Sequence, residues 1–196
     1  NVDYYNQKNI SIPKQEKLKQ EWGLTSNKFT ILIPGRLTNW KGQEKFIESL
    51  NILVEDYNFT NFQAIILGSD QGRTVYKKKL INLVERYNLH KKIKFISHCK
   101  EMPLAYSLAD VVVSASIEPE AFGRVAVEAQ SMSKPIIASS IGGSKETIVN
   151  KKSGILYKFD DPRELAKSLN TVIQLTQDEL KSMGNEGRKN ITKKFD

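Results

Sequence analysis

This chain has very little cysteine or histidine, the residues that build disulfides and most transition-metal sites. Its 196 residues include one cysteine, Cys99, and two histidines, His90 and His98. A single thiol closes no internal disulfide, and no CxxC pair exists to grip a metal. Two histidines are too few for a histidine-based metal site. Long apolar runs are missing too, and none approaches the roughly 18 residues that span a bilayer. No secretory signal opens the chain, which begins Asn1, Val2, Asp3, Tyr4, Tyr5 without an initiator methionine. That start reads as a cut inside a longer protein, with any targeting segment removed. The expected setting is cytoplasmic, with the inner face of a membrane left open. There is no internal repeat and no low-complexity linker.

What is present is an ordinary globular composition, 39% hydrophobic and 27% charged. The length suggests one domain able to bury a proper core. Net charge is +8, which admits nucleic acid, an anionic membrane surface or a phosphorylated substrate. The lysines fall in short groups, at Lys77 to Lys79, Lys91, Lys92 and Lys94, Lys151 and Lys152, and Lys193 and Lys194. None is interleaved with aromatics as a single-strand platform requires. Solvated helix faces are the favoured reading of these groups.

Residues 1–28 are polar and irregular, with a short helix around Gln15 to Glu21. From Phe29 the pattern becomes regular. Apolar runs at Phe29–Ile33, Phe62–Leu67, Ile93–Ile96, Val111–Val113, Pro135–Ala138 and Gly154–Tyr157 read as buried strands. Helical spacing follows most of them, as in Phe46, Leu50 and Leu53 or Leu80, Val84 and Tyr87. A short helix is expected over Leu104 to Leu108, one opening near Gly123, one beginning at Glu146, and two closing the chain. The alternation predicts an α/β fold, a doubly wound Rossmann-like parallel sheet of about six strands with helices on both faces. Ligands in such sheets sit at the carboxyl ends of the strands.

The strand exits are therefore the places to look. After the first comes Gly35, Arg36 and Lys41, where a glycine allows close backbone approach and two cations could meet one diphosphate. Two solvated loop cations would also explain them. Gly68 to Gly72 after the second strand completes no phosphate-binding glycine motif and reads as a plain loop. His98 after the third reads as incidental. The fourth exit is the densest, running from Ser114 to Gln130. Gly123 can open a helix whose free N–H groups face an anion. On that helix Val125, Ala129 and Met132 form an apolar stripe, and Glu128 lies beside it. A carboxylate there is costly unless hydrogen-bonded, either to sugar hydroxyls or to a nearby cation or amide. Glu118 and Glu120 lack the third ligand a metal would need. After the fifth strand, Gly142 and Gly143 allow close approach, Ser144 is a candidate N-cap, and Glu146 falls in the first helical turn.

The segment from Glu120 to Glu128, with seven residues between its glutamates, resembles the E-x7-E motif of GT-B fold retaining glycosyltransferases of group 1. Gly35 and Arg36 with Lys41 and Gly42, the turn at Gly68, Ala109 and Asp110, Lys134 to Ala138, Gly142, Gly143 and Glu146, and Ser153 to Leu156 follow the family's order. The resemblance covers roughly residues 29–176. It implies one half of a GT-B fold, the carboxyl-terminal, donor-binding domain over residues 29–196, with residues 1–28 as the remnant of the interdomain linker. It implies a nucleotide-diphosphate sugar as substrate, no metal or other cofactor, and transfer to an acceptor hydroxyl with retention. Arg36, Lys41 and Glu120 would be catalytic. Gly35, Phe122, Gly123, Arg124 and Glu128 would bind the donor, Glu128 through the ribose hydroxyls. The partner would be an acceptor domain of the same polypeptide that this chain lacks, so the isolated domain is expected to transfer little or nothing. A role in bacterial surface polysaccharide assembly, with peripheral membrane contact, is also implied by the family alone. The pattern departs at Ala121, where the family often has glycine. The alternatives are a sugar-nucleotide epimerase or phosphorylase of the same fold, or a non-catalytic basic anion-binding module.

Overall fold

A computed structural model describes residues 2–195; Asn1 and Asp196, the outer ends of the expected linker and domain, lie outside the described residues. Six strands, β1 (Phe29–Pro34), β2 (Phe62–Leu67), β3 (Ile93–Ile96), β4 (Val111–Ser114), β5 (Ile136–Ser139) and β6 (Ile155–Tyr157), form one parallel sheet in the order β3-β2-β1-β4-β5-β6. The strand order reverses direction between β1 and β4. This is the doubly wound arrangement the alternation predicted.

Strand periodicity decides which helices lie on which face, because successive side chains point to opposite sides. Ile31 and Ile33 of β1 face one core with Ala64 and Ile66 of β2 and Val111 and Val113 of β4. That core is closed by α2 (Gln43–Glu55), α3 (Thr74–Arg86) and α7 (Pro162–Ile173) through Phe46, Leu50, Leu80 and Leu169. Leu32, Ile65 and Val112 turn the other way. They meet α4 (Met102–Ser107) and α5 (Arg124–Ser131) through Ala105, Tyr106, Ala126 and Ala129. With both faces covered, the strands read as continuous apolar runs rather than alternating ones.

Helix boundaries have local causes. Pro162 opens α7, and the Asp161 carboxylate accepts from the Arg163 and Glu164 amides at 3.0 and 3.2 Å. The last helix, α8 (Gln177–Phe195), lies on α5, and Gly184 makes that fit possible. A Cβ there would fall 1.9 Å from the Ser133 carbonyl oxygen. The helix α1 (Ile12–Glu21) starts earlier than expected, with Pro13 in its first turn. Residues 2–28 lie against the body: Trp22 is buried in the second core, and Gln15 Nε2 donates to Ser107 Oγ at 2.9 Å. The short helix α6 (Ser144–Thr147) begins two residues before Glu146, and its cap is Gly143. Ser144 is thus inside the helix rather than its N-cap, and no side chain caps this end. Among the described residues no helix is long and apolar enough to cross a membrane.

Candidate functional site

Three loops leave the carboxyl ends of β1, β4 and β5 and are tied together by backbone. The Ile117 amide donates to the Trp40 carbonyl at 2.9 Å, joining the first loop to the second. The Gly143 amide donates to the Glu120 carbonyl at 2.8 Å, joining the third to the second. Side chains would not fit at these crossings. A Cβ on Gly42, whose φ is +71°, would lie 1.8 Å from the Ala115 carbonyl oxygen. From below, buried Gln43 donates to the Arg36 carbonyl at 2.9 Å and accepts from the Tyr76 hydroxyl at 3.3 Å.

The two cations of the first loop converge. Lys41 Nζ sits 4.4 Å from the Trp40 ring centroid, and the Arg36 guanidinium carbon 6.0 Å from it. Lys41 runs under Gly35, its Cδ 3.5 Å from where a glycine Cβ would be. Its ammonium pairs with Glu120 Oε2 at 2.8 Å, with both side chains largely covered (13% and 18% exposed). The Ser116 hydroxyl donates to the other Glu120 oxygen. Arg36 itself is exposed. So the first and fourth strand exits, 80 residues apart in the chain, meet across the point where the strand order reverses.

Gly123 stands at the start of α5 with φ +63°, and its N-cap position offers no side-chain acceptor to the first-turn amides. Phe122 beside it is exposed and meets Phe195 edge-on, centroids 5.4 Å apart. Arg124 is exposed, while Val125, Ala129 and Met132 form the buried stripe expected for this helix. Glu128 is half-buried beside that stripe, and its partner is a phenol. The Tyr106 hydroxyl donates to Glu128 Oε2 at 2.7 Å. Burial first, then the Glu128 charge and hydrogen bond, push the Tyr106 phenol well above its ordinary value. Neither Tyr106 nor Ser116 nor Gln43 was singled out in the sequence. Each lies in a helix or loop whose local pattern is that of an ordinary core or turn, so nothing local distinguished them.

Not every charged cluster is a site. A cleft of about 760 Å³ opens at the opposite edge of the sheet near Asp110, Lys134, Lys181 and Arg188. Its buried charges already hold backbone: Lys134 Nζ donates to the Ser107 carbonyl at 3.0 Å, and Arg188 to the carbonyls of Tyr5 and Ser131. The carboxyl edge is the better candidate because its cations have side-chain partners that a ligand can replace.

With that geometry in hand, comparison with known proteins is decisive for the family. Residues 14–190 match the family model described as Glycosyl transferases group 1. The chain belongs to that family. Among curated relatives, D-inositol 3-phosphate glycosyltransferase of Corynebacterium urealyticum is 29% identical over 161 residues, 81% of this chain and 38% of that protein. A glycosyltransferase from Rickettsia africae superposes with a TM-score of 0.94 at 30% identity, over 100% of this chain and 51% of that one. Anabaena HepE, solved in complex with UDP-glucose, gives 0.89 at 28% over 100% and 51%. The C-terminal domain of LpcC from Francisella tularensis gives 0.83 at 27%, over 100% of this chain and 97% of that one. The chain thus spans about two fifths of its curated relatives and about half of the full-length structures. Its fold is one half of a GT-B glycosyltransferase.

Proposed function

We propose that this chain binds a nucleotide-diphosphate sugar at the carboxyl edge of its sheet and forms the donor half of a retaining glycosyltransferase. The observation that carries the reading is the Lys41–Glu120 pair beside the uncapped start of α5, with Arg36 near the same Trp40 ring as Lys41. Arg36 and Lys41 stabilise the negative charge that develops on the leaving diphosphate. The amides near Phe122 and Gly123 take the distal phosphate, as free N–H groups at a helix start do. Gly35 leaves room for the phosphate to approach the backbone. Glu120 holds the donor sugar, Glu128 the ribose, and Arg124 flanks both. Protein cations and amides supply the counter-charge, so no metal is invoked. That HepE was solved with UDP-glucose supports the ligand class.

Transfer requires an acceptor half covering this edge, joined through residues 1–28. Retention follows if the acceptor hydroxyl attacks on the face the diphosphate leaves, with a phosphate oxygen taking its proton. The basic groups are scattered, and several pair with surface carboxylates, such as Lys79 with Glu44 at 2.7 Å and Lys152 with Glu186 at 3.3 Å. This favours a phosphorylated substrate over nucleic acid. We place the reaction at the cytoplasmic side, in surface polysaccharide assembly.

The test is calorimetric titration of the chain with UDP, GDP and ADP, no metal added. One nucleotide should bind. Lys41→Ala should weaken it about 30-fold, the scale of losing a charge-assisted contact, and Glu128→Ala about 10-fold. Failure of all three nucleotides to bind at millimolar concentration, with the acceptor half attached as well, would sink the reading.

A further inference from the structure

Glu128 is held by more than its own helix. Tyr106, fully buried on α4, donates to Glu128 Oε2 at 2.7 Å. The Tyr5 ring meets the Tyr106 ring edge-on, centroids 5.8 Å apart and planes at 84°. The Tyr5 phenol lies near the same carboxylate: burial first, then the Glu128 charge, raise it. Tyr5 is in turn fixed from outside. Its carbonyl accepts from Arg188 of α8 at 3.0 Å, and Arg188 also donates to the Ser131 carbonyl at the end of α5. Tyr4 closes the stack with a second edge-on contact at 5.1 Å. One carboxylate is thus gripped by residues from the amino-terminal segment, α4 and α5, with α8 behind them.

A carboxylate has about four acceptor positions, so the one that Tyr106 takes leaves capacity for a ligand. Tyr106, donating to it, and Tyr5, packed on the Tyr106 ring, face the carboxylate as neutral groups. They therefore fix which way the carboxylate faces without neutralising it, and a fixed carboxylate discriminates a diol from a single hydroxyl better than a mobile one. We propose that Tyr106 and Tyr5 are positioning residues for Glu128, and that this clamp sets the preference of the nucleotide site for ribose over 2′-deoxyribose. The proposal rests on the reading of Glu128 as the ribose-binding carboxylate. It makes the first residues of the chain part of the donor site rather than a passive connector.

The test uses three matched pairs, UDP and dUDP, GDP and dGDP, ADP and dADP, titrated against the parent chain, Tyr106→Phe, Tyr5→Phe and Glu128→Gln. Thermal melting of each variant accompanies the titration. The parent should prefer the ribonucleotide about 10-fold, the size of one hydrogen bond to a charged group. Tyr106→Phe should reduce that ratio to about 3 or less while dUDP, or the deoxy member of whichever pair binds, keeps its affinity. Tyr5→Phe should reduce the ratio in the same direction, and it carries the test if Tyr106→Phe does not fold. An unchanged ratio in folded phenol variants, with Glu128→Gln abolishing it, overturns the clamp and leaves the ribose reading intact. Equal weakening of both members of a pair makes the tyrosines merely structural and also overturns the proposal. No preference in the parent, unaltered by Glu128→Gln, removes the ribose reading and the proposal with it.

Discussion

Both edges of the sheet carry an acid and a base, and the two pairs are built differently. At the amino edge, Asp110 Oδ2 accepts from the Thr30 amide at 2.7 Å, and its own amide donates to the Thr30 carbonyl at 2.9 Å. Lys134 donates to the Ser107 carbonyl at 3.0 Å. Burial pushes the Asp110 carboxyl up, opposed by the Thr30 amide hydrogen bond and the Lys134 charge, and pushes the Lys134 ammonium down, opposed by the Asp110 charge. These groups hold chain to chain. At the carboxyl edge, Lys41 and Glu120 hold each other, with Ser116 and the Trp40 ring as further partners. Charge tied to backbone is structural, because releasing it strands a buried N–H or C=O. Charge tied to side chains can be exchanged for a ligand.

The comparison breaks most readily at Asp110. Asp110→Ala removes the acceptor for the Thr30 amide and the counter-charge for Lys134. It should lower stability by about 3 kcal/mol. Urea unfolding reads this, and calorimetry on the folded protein should show nucleotide affinity unchanged. Lost affinity at equal folding would mean the two edges are coupled.

Tyr106 tests a third acid, half-buried Glu128, whose partner is a phenol. Tyr106, Tyr5, Tyr76 and Tyr157 all have folded-state values raised above the ordinary 10.0, chiefly by burial. A group raised on folding contributes stability that is whole below the unfolded value and lost as pH climbs beyond it. Stability should therefore hold up to about pH 10 and fall above it. In Tyr106→Phe one proton fewer is released on unfolding there, so the alkaline slope should be shallower by about 1.4 kcal/mol per pH unit. Urea midpoints at successive alkaline pH values measure it, and a slope equal to the parent's refutes it.

The smallest effect belongs to the exchangeable pair. Glu120→Gln removes the carboxylate that, on the proposed function, Lys41 leaves for a diphosphate. Free nucleoside diphosphate should bind about 5-fold tighter, while stability falls by less than in Asp110→Ala, because the amide oxygen still accepts from Ser116 or Lys41. A loss of stability like that of Asp110→Ala would place Lys41 and Glu120 with the structural pairs instead.

How much of this was legible in the chain varies with the range of the interaction. The strands were, because a parallel strand buried on both faces is an uninterrupted apolar run such as Phe62–Leu67, whatever its neighbours. Gly35, Arg36, Lys41, Glu120, Gly123 and Glu128 were placed at strand exits and a helix start, and the structure puts them there. Ser144 was misread as a cap because a serine beside a helix start is a local signal. The backbone chose Gly143 instead, since the chain enters α6 one residue earlier with its first turn against the neighbouring loop.

By itself, then, the sequence determined the α/β class, the strand runs, the positions of the exit loops and the family motifs they carry. These follow from side-chain periodicity and from residue types a few positions apart, which are properties of a short stretch. Only the tertiary structure decided that Lys41 closes on Glu120, that Tyr106 holds Glu128 with Tyr5 packed against it, and that Asp110 and Lys134 are bound to backbone at the far edge. Each of those contacts joins residues tens of positions apart. Its partner is selected by the strand order and by which face each helix covers, and no local pattern encodes that choice.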